Sequence, residues 1–200
     1  MKDLLASEGV EMKIVDVFSM TSIEVGDSDA LMLEMLASIS WEKRDDYRIE
    51  AFFKRYEGDY LQPARANGIR PYFPQEEPTC LKSLWELVEQ ATGYKYEACF
   101  INFYLDERAN MGWHFDNSPS IDVNRPVSVL SLGGEREIFF RDAKTHDVVM
   151  RLMPKAGSVY SMLPKCNEHF QHCIPPTNEK RMPRMSLVFR PISKIDSIGT

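Results

Sequence analysis

Residues 112–118 read GWHFDNS and place a histidine and an aspartate two residues apart, His114 and Asp116. On an extended chain, positions i and i+2 share a face. An imidazole and a carboxylate at a strand end therefore converge on one point. A second histidine would complete a set of two imidazoles and one carboxylate. That set leaves three adjacent coordination positions open, as iron(II) needs to take a chelating co-substrate and O2 together. Zinc more often takes a closed tetrahedron, or three ligands and a water. Taken alone, the pair has a plain alternative: a turn-forming aspartate that follows a histidine by chance.

The other histidines are His146, His169 and His172. His146 sits in the polar turn DAKTHD and reads as solvated. His169 and His172 lie three apart in EHFQHCIPP, so on a strand they face opposite ways and one of the two joins the site.

A second cluster comes from RMSLVFR, residues 184–190. Arg184, Ser186, Val188 and Arg190 fall on one strand face, and Met185, Leu187 and Phe189 on the other. With the apolar set turned to a hydrophobic layer, both guanidiniums enter one cavity. A buried arginine there calls for an anion. The strand spans ~20 Å, enough for two long arginines with a five-carbon dicarboxylate between them, each guanidinium matching a carboxylate as a fork. The strand INFYL adds Asn102 and Tyr104 on one face of an otherwise apolar run. They suit hydrogen bonds to an anion, or else are buried polar groups satisfied by the backbone.

The elements that must hold these residues are legible in outline. Helices are expected at about 29–41, with Ser28 or Asp29 as cap, and at about 79–92, capped by Thr79 and stopped by Gly93. After Gly93 the pattern changes to short alternating runs at 98–105, 126–132, 136–142, 147–153, 157–163 and 184–190, read as strands. Two helices followed by regular short strands predict a mainly β, α+β fold: a barrel or jelly roll with helical support. Residues 42–78 read as hairpins and loops more than core.

The 200 residues suit a single domain. Lys and Arg number 24 against 30 Asp and Glu, a net charge of −6, which argues against tight non-specific nucleic-acid binding but not against a local basic groove. The four cysteines form no C-x-x-C pair, so a reducing compartment is expected. Charge interrupts the N-terminal residues too early for a signal peptide, and no apolar run nears the ~18 residues of a membrane span.

Taken in order, N-x-Y, H-x-D, a downstream H before I-P, and R-x5-R closely resemble the AlkB-like family of Fe(II)/2-oxoglutarate dioxygenases, in its compact phage and bacterial form. INFY, GWHFD, SVLSLGGEREIFFR, FQHCIP and RMSLVFR carry the likeness, over about 95–191. The resemblance implies a double-stranded β-helix at about 95–191, with helical support and a substrate lid at about 1–94. It implies Fe(II) on His114, Asp116 and His172. Arg184, assisted by Tyr104, would hold the distal carboxylate of 2-oxoglutarate. Asn102 and Arg190 would steady its chelating end, with Ser186 near the co-substrate and O2 as oxidant.

It further implies a monomeric cytoplasmic enzyme, in a bacterium or a virus-infected cell. Its substrate would be a methylated base, single-stranded or flipped out of a duplex. Trp41, Tyr47, Tyr60, Tyr72 and Phe73, interleaved with Arg44, Arg48, Lys54, Arg55, Arg65 and Arg70, are the candidates for a lid that stacks such a base. A solvated charged surface is the alternative reading of that segment. Trp113 is expected as wall, and the Met-rich stretch 31–36 as core. One departure stands out: family repair enzymes often carry acids just after H-x-D, where this chain has Asn117 and Ser118. A protein side chain or a small molecule is thus the alternative substrate. A non-enzymatic binding module and a cupin-like zinc or manganese protein are more distant readings; the latter leaves the paired arginines without a purpose.

Overall fold

The computed structural model of the chain describes residues 4–7, 10–57 and 72–193, with side chains described from residue 14 onward. The elements in order are β1 (Leu4–Ser7), β2 (Val10–Lys13), a 3-10 turn (Ile14–Asp16), β3 (Phe18–Ser22), α1 (Ser28–Ser38), β4 (Glu42–Lys43) and β5 (Arg48–Lys54). There follow α2 (Thr79–Thr92), β6 (Ala98–Tyr104), β7 (Met111–His114), β8 (Val127–Gly133), β9 (Ile138–Asp142) and β10 (Val148–Leu152). The last are β11 (Ser158–Met162), α3 (Pro164–His169), β12 (Phe170–Ile174) and β13 (Arg184–Arg190).

Among the described residues, a larger antiparallel sheet runs β3-β11-β8-β13-β6-β5-β4 and a smaller one β10-β9-β12-β7. Strand alternation divides the larger sheet into two faces. Cys99, Ile101, Leu130, Leu132, Met185, Leu187 and Phe189 pack on Met32 and Met35 of α1 and Leu81, Leu84, Trp85 and Val88 of α2. Phe100, Tyr104, Val129, Tyr160 and Val188 face the smaller sheet's Ile138, Phe140, Phe170 and Ile174. This is the expected jelly roll, with α1 and α2 backing one face of the larger sheet. The site lies between the sheets.

Several boundaries differ from the sequence reading. Helix α1 is capped by Asp27, whose carboxylate accepts from the Asp29 and Ala30 amides. Ser28 Oγ instead accepts the Gly133 amide at 2.8 Å, tying the helix to β8. The helix stops at Ser38 because Ile39 is already extended. Thr79 is the first helical residue of α2 and Pro78 its N-cap, while Gly93 ends the helix in a left-handed conformation (φ 77°). Residues 42–78 contribute more core than expected: Ala51, Phe52 and Phe53 are buried in β5, which pairs with β6 along its whole length. Its alternation was masked by flanking charge.

Phe189 is fully buried, with its ring 5.3 Å from Trp85 and 5.9 Å from Tyr96. Phe189→Ala should cost about 3–5 kcal/mol of stability through the cavity it leaves, read from the denaturant midpoint.

Candidate active site

Strands β7 and β12 are neighbours in the smaller sheet, and His114 pairs directly with His172. The next paired position is Met111 with Ile174, so β7 carries one extra residue. A bulge of this kind turns residues three apart toward the same side, and both Met111 and His114 line the cavity. The two imidazole rings lie 4.1 Å apart. Asp116 follows the end of β7, and its Oδ2 is 3.7 Å from His172 Nε2. One ligand atom from each of His114, Asp116 and His172 lies within 4.8 Å of the others.

The protonation states suit a metal. His114 Nδ1 is 2.8 Å from the Gly112 carbonyl. A carbonyl only accepts, so Nδ1 is the donor there and Nε2 is the nitrogen left to face a metal. Burial, reinforced by His114 and opposed by Asp116, depresses the His172 pKa to about 3, so its ring is neutral. Burial works against the Asp116 charge, but Arg190, His172 and His114 outweigh it and hold the carboxyl below its usual range. Arg190 donates to Asp116 Oδ1, and the Asp116 amide donates to Asn167 Oδ1 at 3.3 Å.

The opposite end of the cavity is cationic. Arg184 is fully buried, and its Nη2 donates to Ser131 Oγ at 2.8 Å. Its Nε and Nη1 have no hydrogen-bond partner, and among the described residues no carboxylate lies within ion-pair distance of it. Tyr104 pairs with Arg184 across β6 and β13, and the guanidinium carbon is 5.7 Å from its ring. Burial raises the pKa of Tyr104 and of Tyr160 despite Arg184, so both stay phenols able to donate. A buried cation with two idle donors, beside a phenol, an amide and hydroxyls, fits a carboxylate. One cavity of about 420 Å³, counting its open mouth, joins this end to the His-Asp-His cluster.

All eight residues singled out in the sequence line that cavity: Asn102, Tyr104, His114, Asp116, His172, Arg184, Ser186 and Arg190. His146 lies in the exposed turn after β9, and His169 ends α3. Trp113 is not in the wall of the cavity: it lies against Arg141, whose guanidinium carbon is 4.4 Å from its ring. Ser131 and Tyr160 were missed. Ser131 shares its face of β8 with Val127 and Val129, and Tyr160 its face of β11 with Met162, so alternation alone could have found them.

The proposed lid residues scatter. Tyr60, Arg65 and Arg70 lie outside the described residues. Trp41 packs on the helix-side core near Phe103, and Arg55 pairs with Glu77 and stacks over Trp85. Tyr72, in contrast, contacts Phe52 and Phe100 between the sheets, with Arg44 over its ring at 4.9 Å.

Arg190 holds Asp116 while its guanidinium lies over Phe100 at 4.3 Å. Arg190→Gln should lower metal affinity by about 10–100-fold, as loss of an outer partner typically does, measured by calorimetric titration with Mn(II).

A facial His-Asp-His cluster and a buried arginine in one jelly-roll cavity define a class, and the chain belongs to it: the 2OG-Fe(II) oxygenase superfamily, whose profile matches residues 54–190. Within that superfamily the chain is AlkB-like. It is 23% identical over 188 residues to mouse alpha-ketoglutarate-dependent dioxygenase alkB homolog 3, covering 85% of this chain and 63% of that protein. It is 27% identical over 130 residues to bovine DNA oxidative demethylase ALKBH2, covering 62% of this chain and 45% of that protein. The chain thus spans less than two thirds of the length of either. An uncharacterized protein, R406, of Acanthamoeba polyphaga mimivirus is 23% identical, covering 76% of this chain and 70% of that one. The solved structure of OsALKBH1 shares the fold, with a TM-score of 0.61 at 17% identity over 88% of this chain and 97% of that chain. Membership implies Fe(II), 2-oxoglutarate and O2. No helix among the described residues is long and apolar enough to cross a membrane.

Proposed function

We propose that this chain is an Fe(II)- and 2-oxoglutarate-dependent dioxygenase that oxidises a methyl group on a nucleobase in DNA or RNA. The observation that carries the reading is the shared cavity: three converging ligands at one end and an unpaired buried arginine at the other. His114, Asp116 and His172 would hold the iron. Arg184, with Ser131 and Tyr104, would hold the distal carboxylate of 2-oxoglutarate. Asn102 and Ser186 lie between the two ends. Arg190 orients Asp116 and stands beside the chelating end. When bound, iron, 2-oxoglutarate and O2 together supply the oxidising power that converts a C–H bond to C–OH, with CO2 and succinate released.

The apolar surroundings exclude water, and the ion pair of Asp116 with Arg190 keeps the carboxylate in place. Phe100, Phe52 and Tyr72 form an aromatic bank beginning under Arg190, with Arg44 at its far end. Phe52 and Phe100 are buried, so partly exposed Tyr72, with Arg44 over its ring, is the ring of this bank on which a single-stranded or flipped base would stack. The relatives' names favour a nucleic acid. The net charge of −6 and the neutral Asn117 and Ser118 favour the second reading, the same chemistry on a protein side chain or small molecule.

We further infer one catalytic domain over residues 1–200, with support and lid from about 1–94 and core from about 95–191. It would act as a monomer in the cytoplasm of a bacterium or virus-infected cell. The four buried free cysteines are in keeping with a reducing interior.

The test is an aerobic reaction with Fe(II), ascorbate, 2-oxoglutarate and oligonucleotides carrying N1-methyladenine, N3-methylcytosine, N6-methyladenine or 5-methylcytosine, read by mass spectrometry. Loss of an N-methyl mark with matching succinate and formaldehyde names the base. A stable added oxygen on 5-methylcytosine makes the enzyme a hydroxylase. Succinate with unchanged oligonucleotides selects the second reading. No succinate at all sinks the dioxygenase.

A further inference from the structure

Beside the cavity, outside its immediate lining, stands a second buried guanidinium, that of Arg136. Arg136 precedes β9, whose inward residues are Ile138 and Phe140. Strand parity carries Arg136 on the same face, one step beyond the cavity-lining Ile138. It is 1% exposed, while its neighbours Glu135 and Glu137 lie on the opposite, wetter face. Its Nη2 donates to the Asp106 main-chain carbonyl. Its Nε and Nη1 have no hydrogen-bond partner. The Asp106 carboxylate is held by Arg108 at 2.5 Å. Among the described residues, then, no carboxylate pairs with Arg136.

Arg184 pairs with Tyr104 of β6 and with Gly133 of β8, while Arg136 follows Gly133 by three residues and donates to the carbonyl of Asp106, two past Tyr104, so both guanidiniums belong to one corner of the barrel, where their charges oppose each other. One guanidinium comes from the smaller sheet's side and the other from β13 of the larger. Each has two idle donors. Two buried cations in one corner are unstable without a counter-charge, and their four unpartnered donor nitrogens call for an acceptor.

We propose that Arg136 is a second guanidinium of the site for the distal carboxylate of 2-oxoglutarate, bracketing that group with Arg184 from the opposite sheet. This rests on the co-substrate reading above. Arg184 supplies charge from the strand that also carries Arg190. Arg136 adds a donor from the side of the smaller sheet, so the bound carboxylate would tie the two sheets together.

The rival account is structural: Arg136 only holds the loop after β6 through the Asp106 carbonyl. The two accounts predict opposite changes in the ligand-free protein. Calorimetric titration of 2-oxoglutarate into the Mn(II)-loaded chain, with melting of the ligand-free chain alongside, separates them. Arg136→Met should weaken 2-oxoglutarate binding by about 10–100-fold, the loss expected of one charge-assisted hydrogen-bonding group. It should leave the Mn(II) affinity unchanged. It should also keep or raise the melting temperature of the ligand-free chain, because a like-charge repulsion is removed.

Arg136→Gln keeps a donor for the Asp106 carbonyl but drops the charge. It should weaken 2-oxoglutarate binding to a similar degree, which keeps the test open if the Met variant folds poorly. Wild-type affinity in either variant overturns the proposal. So does a melting temperature lost in Met and restored in Gln together with unchanged binding in Gln. If wild-type protein binds Mn(II) but no 2-oxoglutarate, the co-substrate reading itself falls and this inference falls with it.

Discussion

Asp116→Ala should abolish metal binding and, with it, all turnover of 2-oxoglutarate. Asp116 is the anionic member of a three-residue cluster whose other ligands are the imidazoles of His114 and His172. Removing it takes away the charge that offsets a divalent ion and one of only three protein ligands. The loss should therefore exceed the ~10–100-fold cost of a missing outer partner. The same change strands Arg190, whose side chain is only 14% exposed. Breaking a buried pair from one side costs about 3–5 kcal/mol, so the alanine variant should also melt at a lower temperature. Asp116→Asn separates the two effects: it keeps the volume and an acceptor for Arg190 while losing the anionic ligand. Both variants, checked for folding by circular dichroism, are titrated with Mn(II) and assayed for succinate. Metal affinity at the wild-type level in the Asn variant would place the centre elsewhere.

The second large effect is at Arg184. Arg184→Met should weaken 2-oxoglutarate binding by about 10²–10⁴-fold, since two charge-assisted hydrogen bonds of about 1.5–3 kcal/mol each are lost. Metal binding should be untouched, because Arg184 stands at the far end of the cavity from the His-Asp-His cluster. The ligand-free variant should be at least as stable as wild type. Its native arginine is fully buried with Nε and Nη1 unpaired, and methionine fills similar space without that penalty. Arg184→Lys should not restore affinity, because an ammonium cannot present a planar fork to a carboxylate. Kinetics should show a large rise in KM for 2-oxoglutarate, with saturating rates recovering in part. A methionine variant with unchanged KM would remove Arg184 from the co-substrate site.

Some of this was readable from one dimension because strands have a period of two. The alternation in RMSLVFR assigned Arg184, Ser186, Val188 and Arg190 to the cavity and Met185, Leu187 and Phe189 to the helices, and both faces are found so. The placement of Asn102 with Tyr104 follows from the same rule, whereas Asp116 lies in a bend beyond the end of β7, where alternation no longer applies. Gly93 stopped α2 for a local reason, its ease in left-handed backbone. Local rules failed where a signal was mixed. Charged residues around Ala51, Phe52 and Phe53 hid a core strand, because its outer neighbours are set by pairing with β6 rather than by its own sequence.

What the chain order alone determined is which side chains share a strand face, and hence which residues are available to the site. The tertiary structure decided which of them meet. It set His172 rather than His169 opposite His114, because β12 begins only after α3 ends at His169. It gave Arg190 to Asp116 and laid Arg141 over Trp113, on the face away from the cavity. It also brought Arg136 toward Arg184, from the opposite sheet, 48 positions away in sequence. Pairing between sheets depends on how distant strands stack, and that information is carried by the packed core rather than by any local run of residues.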